Sequence, residues 1–284
     1  MNTWKFYSGA LIPACEPHKA PNLEVLSSGE LWKAHKNALL ARYTTDFDCG
    51  YETSWWYVIK DTPFDISKIK AKRRYEINKG NKFFDVRPIK TEEYTEAIYE
   101  VQVEAFKAYP EKYRPTVYHD KFTDEIKAWD TDPKIKVYGA FFKETEKLCG
   151  YAMLAEDGRV IHFNVLKTIP EYEKYAINAA IVNKLLLDLN EDIANGKYIC
   201  DGARAINHET AFQDYLEKYF EFKKAYCVLH LKYRGPVRII VKCAYPFRKI
   251  LKKLDTVSLV HRINAVLKME EIKRTNIKKE EKSI

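Results

Sequence analysis

Two polar clusters in this 284-residue chain have the residue types that proton transfer and anion binding require. His162 and Asn164 stand two apart in a run rich in β-branched and aromatic residues, so a strand would project both to one face. An imidazole is suited to act as a base near neutrality, and an amide can orient the group that loses its proton. The plainer reading is a histidine satisfied within the core. Asp201, Arg204, His208 and Glu209 follow one another between a short strand and the next helix. Loops at the carboxyl ends of strands are where such sheets bind ligands. Here Arg204 and His208 are expected to contact substrate, Arg204 through its planar fork on a carboxylate or phosphate. Asp201 or His208 would serve as base. The structural alternative makes Asp201 a turn former, Glu209 a helix-dipole partner and Arg204 its ion-pair mate. A third cluster, Lys72, Arg73 and Arg74 just after Lys70, reads as a phosphate or RNA-backbone contact, or as a solvated helix face. No recognised base-reading motif accompanies it.

The elements that must position these residues follow from periodicity. The first ~60 residues are mixed and end in a Trp-rich strand, Ser54–Lys60. Asp65–Gly80 reads as a helix with Gly80 at its C′ position, and Phe83–Ile89 as a strand. Thr91–Tyr109, capped by Thr91, and Val117–Trp129 are expected helices. Lys134–Phe142, Cys149–Ala155 and Val160–Leu166 are three strands, the last two joined at Asp157-Gly158, a hairpin signal. Glu171–Ile193 is the clearest amphipathic helix, with Val182, Leu185, Leu186, Leu189 and Ile193 on one face. Tyr198–Asp201, a helix over Glu209–Phe220 capped by Asn207, and an alternating strand over Lys224–Tyr233 complete an α/β arrangement. Tyr245–Leu267 places Ile250, Leu254, Val257, Val260, Ile263 and Leu267 on one stripe beside Arg248, Lys249, Lys252 and Lys253, a basic amphipathic segment. The last fifteen residues are charged and expected to fray.

Bulk composition narrows the class. With 46% apolar and 14% aromatic residues the chain is globular rather than disordered, and its 10 Gly exclude fibrous repeats. No run approaches the roughly 18 apolar residues of a membrane span. The N-terminal stretch lacks the pattern of a cleaved signal. Six Cys at 15, 49, 149, 200, 227 and 243 form no CxxC pair, which predicts neither a disulfide framework nor a metal site and points to a reducing cytoplasm. The net charge of +8 is uneven: residues 235–269 hold eight bases and one acid, residues 270–284 five bases and four acids, so residues 1–234 sum to zero.

The order of elements from Phe83 to Tyr233 resembles the GNAT acyltransferase fold. The likeness is sharpest in CDGARAINHETAFQDYLEKYFEFKKAYCVLHLKY, where the helix ends in a turn, then Glu221, Phe222 and Lys223, before the closing strand. A Gly commonly occupies the place of Glu221. The segment KAKRRYEINKGNKFFDVRPI is similar to the basic helix, Gly and strand of Fem-type aminoacyltransferases, which use aminoacyl-tRNA. The first resemblance implies acyl-CoA as donor, bound by backbone N–H groups at the start of the long helix. That place reads Pro170 to Ala176, so Tyr172, Lys174 and Tyr175 become the donor contacts. The loop departs from the family pattern in having no glycine and two acids, which favours a rebuilt site or a different donor such as aminoacyl-tRNA. A Tyr near the closing strand protonates the leaving group in such enzymes, and Tyr226 is the candidate.

These expectations combine into a GNAT-like mixed, mostly antiparallel α/β (α+β) sheet flanked by helices. An N-terminal extension (1–82) precedes the acyltransferase core (83–234), and a basic helical appendage (235–284) follows it. The expected activity is N-acyl transfer to an amine, with His162, Asn164, Asp201 and Tyr226 catalytic and no metal. The acceptor would be a small-molecule or glycan-precursor amine of the envelope, handled in the cytoplasm at the inner membrane face. The basic segment 245–268 would meet an anionic membrane, RNA or the protein body. The alternatives are an aminoacyl-tRNA-dependent Fem-type transferase with tRNA as partner, and a GNAT-like docking module without catalysis.

Overall fold

The computed structural model describes residues 4–111, 114–206, 211–253 and 258–280. Along the chain, β1 (Trp4–Tyr7) and β2 (Ala10–Pro13) precede two short helices, α1 (Leu23–Ser27) and α2 (Glu30–Ala34). Strands β3 (Leu40–Thr45) and β4 (Trp55–Lys60) lead to α3 (Ala71–Phe83), β5 (Phe84–Ile89), α4 (Thr95–Lys107) and α5 (His119–Trp129). Three long strands follow: β6 (Ile135–Phe142), β7 (Lys147–Asp157) and β8 (Val160–Thr168). Then come α6 (Ile177–Asp188), α7 (Asn190–Ala194), β9 (Tyr198–Ala203), α8 (Ala211–Phe220) and β10 (Lys223–Tyr233). The chain closes with α9 (Gly235–Ala244), α10 (Arg248–Lys253) and α11 (Ser258–Glu280).

These elements fall into two compact units, one of residues 59–202 with 212–223, the other of residues 1–58 with 203–211 and 224–284. In the first, β5 to β8 pair antiparallel in sequence order and β9 adds in parallel beside β8. Neighbouring residues of β7 show how its helices are layered. Tyr151 bonds Gln102 of α4, whereas a Cβ on Gly150 would meet Ile177 of α6 at 3.1 Å. Successive side chains of a strand face opposite ways, so α4 and α6 cover opposite faces of the sheet. The core under α4 and α5 joins Ile98, Val101, Ile126 and Trp129 to Val137, Phe141, Leu148 and Tyr151. In the other unit β1, β2, β3 and β10 lie in that order, β3 and β10 antiparallel. Its core sets Leu40, Trp55, Cys227 and Leu229 against Met269 and Ile272 of α11. The mixed, mostly antiparallel sheet with flanking helices is the fold class the sequence predicts.

Several helix boundaries differ from expectation for local reasons. Asp65 caps a 3-10 turn at Ile66–Lys68, accepting from the Ser67 N–H at 2.9 Å, so α3 starts only after Lys70. Gly80 does not end α3 but lies buried inside it. A Cβ there would stand 2.5 Å from the Ala176 carbonyl oxygen and 2.9 Å from the Ala180 nitrogen, so the glycine lets α3 approach α6. Thr91 is no helix cap: its hydroxyl donates to the Ile126 carbonyl at 2.6 Å, and α4 begins at Thr95. The expected helix over 171–193 is three pieces. A 3-10 turn at Pro170–Tyr175 ends on Ala176, which takes the left-handed conformation at φ 62°, before α6 and α7. The expected cap Asn207 lies outside the described residues. Glu221, where a glycine is common in the resembled family, adopts φ 57°. The stripe expected over 245–267 is split between α10 and α11, with Leu254 and Val257 outside the described residues.

Candidate functional site

Strands β8 and β9 share a short parallel register, from Val160 opposite Tyr198 to His162 opposite Cys200. Beyond it β8 runs on to Thr168 while β9 turns out through Gly202, whose φ of 97° suits glycine. A cavity of about 780 Å³ occupies the wedge, lined by Phe163 to Thr168 of β8, by Asp201 and Phe212, and by side chains of α4 and α5. This is the carboxyl end of parallel strands, the place the topology of open sheets assigns to ligands.

Asp201 is part of the cavity lining and is half-buried. Burial pushes its carboxyl up to about 7, against a hydrogen bond from Gln213 that favours the charged form. Asn164 projects from an irregularity in β8. The register passes from Leu154–Phe163 to Met153–Val165, so Asn164 is the extra residue of a bulge and its exposed side chain is aimed at the cavity. Tyr151 donates to Gln102 Oε1 at 2.6 Å, and both are buried at the cavity wall. Burial holds the Tyr151 phenol above its usual range, so it stays protonated and keeps its bond to Gln102. Lys167 lies 4.8 Å above the Phe106 ring and donates to the Tyr109 hydroxyl at 3.3 Å. At the α6 end, Thr168 donates to Asn178 at 3.3 Å, and Glu173 adds a carboxylate to the rim. The site therefore combines a carboxyl that titrates near neutrality, an amide, a cation and several aromatic walls.

Of the residues singled out in the sequence, Asn164 and Asp201 come together at this cavity. His162 does not line it: the residue is half-buried within the β8–β9 ladder, on the other side of the bulge from Asn164. Arg204 and Tyr226 belong to the other unit. There Arg204 Nη1 donates to the Ser54 carbonyl at 2.7 Å and the guanidinium lies 4.3 Å over Trp56, which meets Tyr226 edge-to-face. Burial lowers the Arg204 pKa, and its bonds are those of a strand-end staple. His208 lies outside the described residues, as does Glu209. Tyr172 and Tyr175 pack with Phe142 in an aromatic group, and Lys174 extends over Tyr175 at 5.1 Å. On α3, Lys72 is exposed, Arg73 lies 5.8 Å over Tyr219 and Arg74 donates to the Ser67 carbonyl.

Sequence reasoning missed Tyr151, Gln102 and Lys167. One signal was available for Gln102: it interrupts the apolar stripe of Ile98, Val101 and Ala105 on α4, and a polar residue there needs a buried partner. Among the described residues no group of three or more His, Cys, Asp or Glu could hold a metal ion.

No family model matches the sequence, and no curated protein does. Solved structures match the fold. A conserved protein of unknown function from Bacteroides thetaiotaomicron has a TM-score of 0.55 at 11% identity, over 81% of this chain and 83% of that one. The C-terminal DUF2156 domain of a candidate lysylphosphatidylglycerol synthetase from Agrobacterium fabrum has a TM-score of 0.52 at 10% identity, over 84% and 82%. L-PGS from Bacillus licheniformis has a TM-score of 0.50 at 12% identity, over the same shares, 84% and 82%. At these identities the likeness is one of fold, and the chain shares that fold with the DUF2156 domain of the lysylphosphatidylglycerol synthetase.

Proposed function

We propose that the chain transfers an acyl group from an activated donor to an amine, with the reaction in the wedge between β8 and β9. The observation that carries this reading is Asp201, a half-buried carboxyl in the lining of a ligand-sized cavity, its pKa pushed up to about 7. An amine arrives as an ammonium. Asp201 takes one proton, the freed nitrogen attacks the donor carbonyl carbon, and a C–N bond forms as the bond to the leaving oxygen or sulfur breaks. The second nitrogen proton departs with that leaving atom. Asn164, which lines the cavity, orients the nitrogen, and the Tyr151–Gln102 hydrogen bond fixes the wall beside it.

The turn at Pro170–Tyr175 supports an aminoacyl ester over a coenzyme A thioester. Glu171 and Glu173 are exposed at the entry to α6, where a pyrophosphate would need uncluttered N–H donors, and both carboxylates oppose it. The name lysylphosphatidylglycerol synthetase, carried by one protein of similar fold, supports an aminoacyl group as the one transferred. The test offers the purified protein labelled aminoacyl-tRNA and labelled acyl-CoA separately, with a panel of amines. Transfer from the aminoacyl ester is expected, lowered about 100-fold or more in Asp201→Asn. Transfer from acyl-CoA alone would replace the donor reading. A rate unchanged in Asp201→Asn would refute the site.

A further inference from the structure

The segment from α9 through α10 presents an apolar surface that no described residue of its own unit covers. Ile239 is 66% exposed, Ile240 55%, Phe247 59% and Ile250 61%, with Cys243 and Pro246 exposed between them. Ala244, Tyr245 and Arg248 all keep right-handed helical backbone, so the path from Gly235 to Lys253 is one helix tightened by a 3-10 turn at Tyr245–Phe247. At about 100° per residue, positions 239, 240, 243, 247 and 250 fall within an arc of roughly 100°. The opposite side is occupied: Val241 is buried, the Leu251 carbonyl accepts from Asn264 at 3.0 Å, and Arg274 stacks on Tyr245 at 3.8 Å. The exposed face is thus the one α11 does not meet.

Charge decides what fits this face. Residues 235–253 contain six bases and no acid. Arg248 pairs with Glu271 on the packed side. Arg238, Lys242, Lys249, Lys252 and Lys253 are exposed and have no carboxylate partner among the described residues. On the same helical projection Lys242, Lys249 and Lys253 lie within about 80° of one edge of the apolar arc, with Arg238 and Lys252 farther round toward the packed side. A nucleic acid would use the cations and leave four large apolar side chains in water. A protein partner would need a carboxylate-rimmed apolar groove. A bilayer with acidic headgroups satisfies both features at once, taking the apolar arc at the acyl boundary and the cations beside it among its phosphates.

We propose that the α9–α10 segment docks this protein on the surface of an anionic phospholipid bilayer. The contact is interfacial: no helix among the described residues is long and apolar enough to cross a membrane. The proposal does not rest on the acyl-transfer reading.

The test floats the full-length protein with vesicles of phosphatidylcholine, with and without phosphatidylglycerol, across a salt series. Partition onto the anionic vesicles is expected, weakening with salt, with little onto the neutral ones. Replacing Lys249, Lys252 and Lys253 with Ala should lower the partition coefficient about five-fold per charge. Ile239→Ser, Phe247→Ser and Ile250→Ser together should lower it at least ten-fold, without a loss of thermal stability because these side chains are already exposed. In a Phe247→Trp variant, tryptophan emission should shift to the blue on vesicle addition, which surface electrostatics alone would not produce. Equal partition onto neutral vesicles, an unaffected apolar variant, or no emission shift would each overturn the proposal. So would tRNA binding by this segment without vesicle binding, or a lipid-free dimer that the apolar substitutions dissolve.

Discussion

Asp201 carries opposite consequences for stability and for catalysis, and one titration separates them. Its carboxyl sits near 7 in the folded chain because charging it in a buried place is unfavourable, whereas the unfolded chain charges it near the ordinary aspartate value of about 3.9. A folded pKa above the unfolded one gives a contribution fully present below about pH 4, which is lost as pH rises to about 7 and is absent above that. The rise from the ordinary aspartate value corresponds to up to about 4 kcal/mol. Asp201→Asn cannot titrate, so it should gain on the parent with rising pH between 4 and 7, read from denaturation midpoints across that range. Transfer activity needs the charged carboxylate, so in the parent it should climb through the same window as stability falls. A parent rate flat between pH 5 and 8 would remove Asp201 from the base role while leaving the stability argument intact.

At the scale of elements, the close approach of α3 to α6 supports the wedge, because α6 begins where the cavity ends at Asn178. Gly80→Ala tests that approach. Ala is the better helix former by about 1 kcal/mol. Its Cβ would nevertheless stand 2.5 Å from the backbone oxygen of Ala176, which cannot rotate away. Overpacking of this kind costs about 1–3 kcal/mol, so the variant should be less stable despite its propensity gain, with amide exchange faster at the start of α6. An exposed helical glycine replaced in the same way would gain stability instead. This contact also explains what sequence could and could not give. Strands β5 to β8 are legible because alternation and β-branched residues identify them one at a time. A glycine inside a basic helix reads as a terminator, since the reason it is tolerated lies on another element about a hundred residues away. The same applies to the site. Asn164 and Asp201 stand out as polar residue types within apolar strands. Tyr151 and Gln102 do not, because their role exists only as a pair, 49 residues apart in sequence. The bond of Arg204 to the Ser54 carbonyl and the Trp56 ring that meets both Arg204 and Tyr226 are likewise about 150 or more residues away in sequence and invisible there.

For the whole molecule, the division of the chain into two units makes a prediction about its last helix. By composition the final residues look like a charged tail, yet Glu270, Ile272 and Asn276 of α11 are buried. The helix is anchored by polar bonds that no hydropathy pattern reveals. Tyr233 donates to Glu270 at 2.8 Å, Arg274 donates to the same carboxylate at 2.8 Å, and the Asn276 amide oxygen accepts from the Ser54 N–H at 2.7 Å. Ile272, 4% exposed, packs in the same core as Leu40, Trp55 and Leu229. Truncating such a side chain to Ala costs about 2–5 kcal/mol through lost transfer energy and the cavity left behind. Because the residues it touches all belong to the unit of 1–58, 203–211 and 224–284, the loss should be local. In Ile272→Ala, amide exchange should quicken in β3, β10 and α11 and stay at parental rates in β6, β7 and β8. Uniform acceleration over all six elements would mean that the chain unfolds as a single cooperative body.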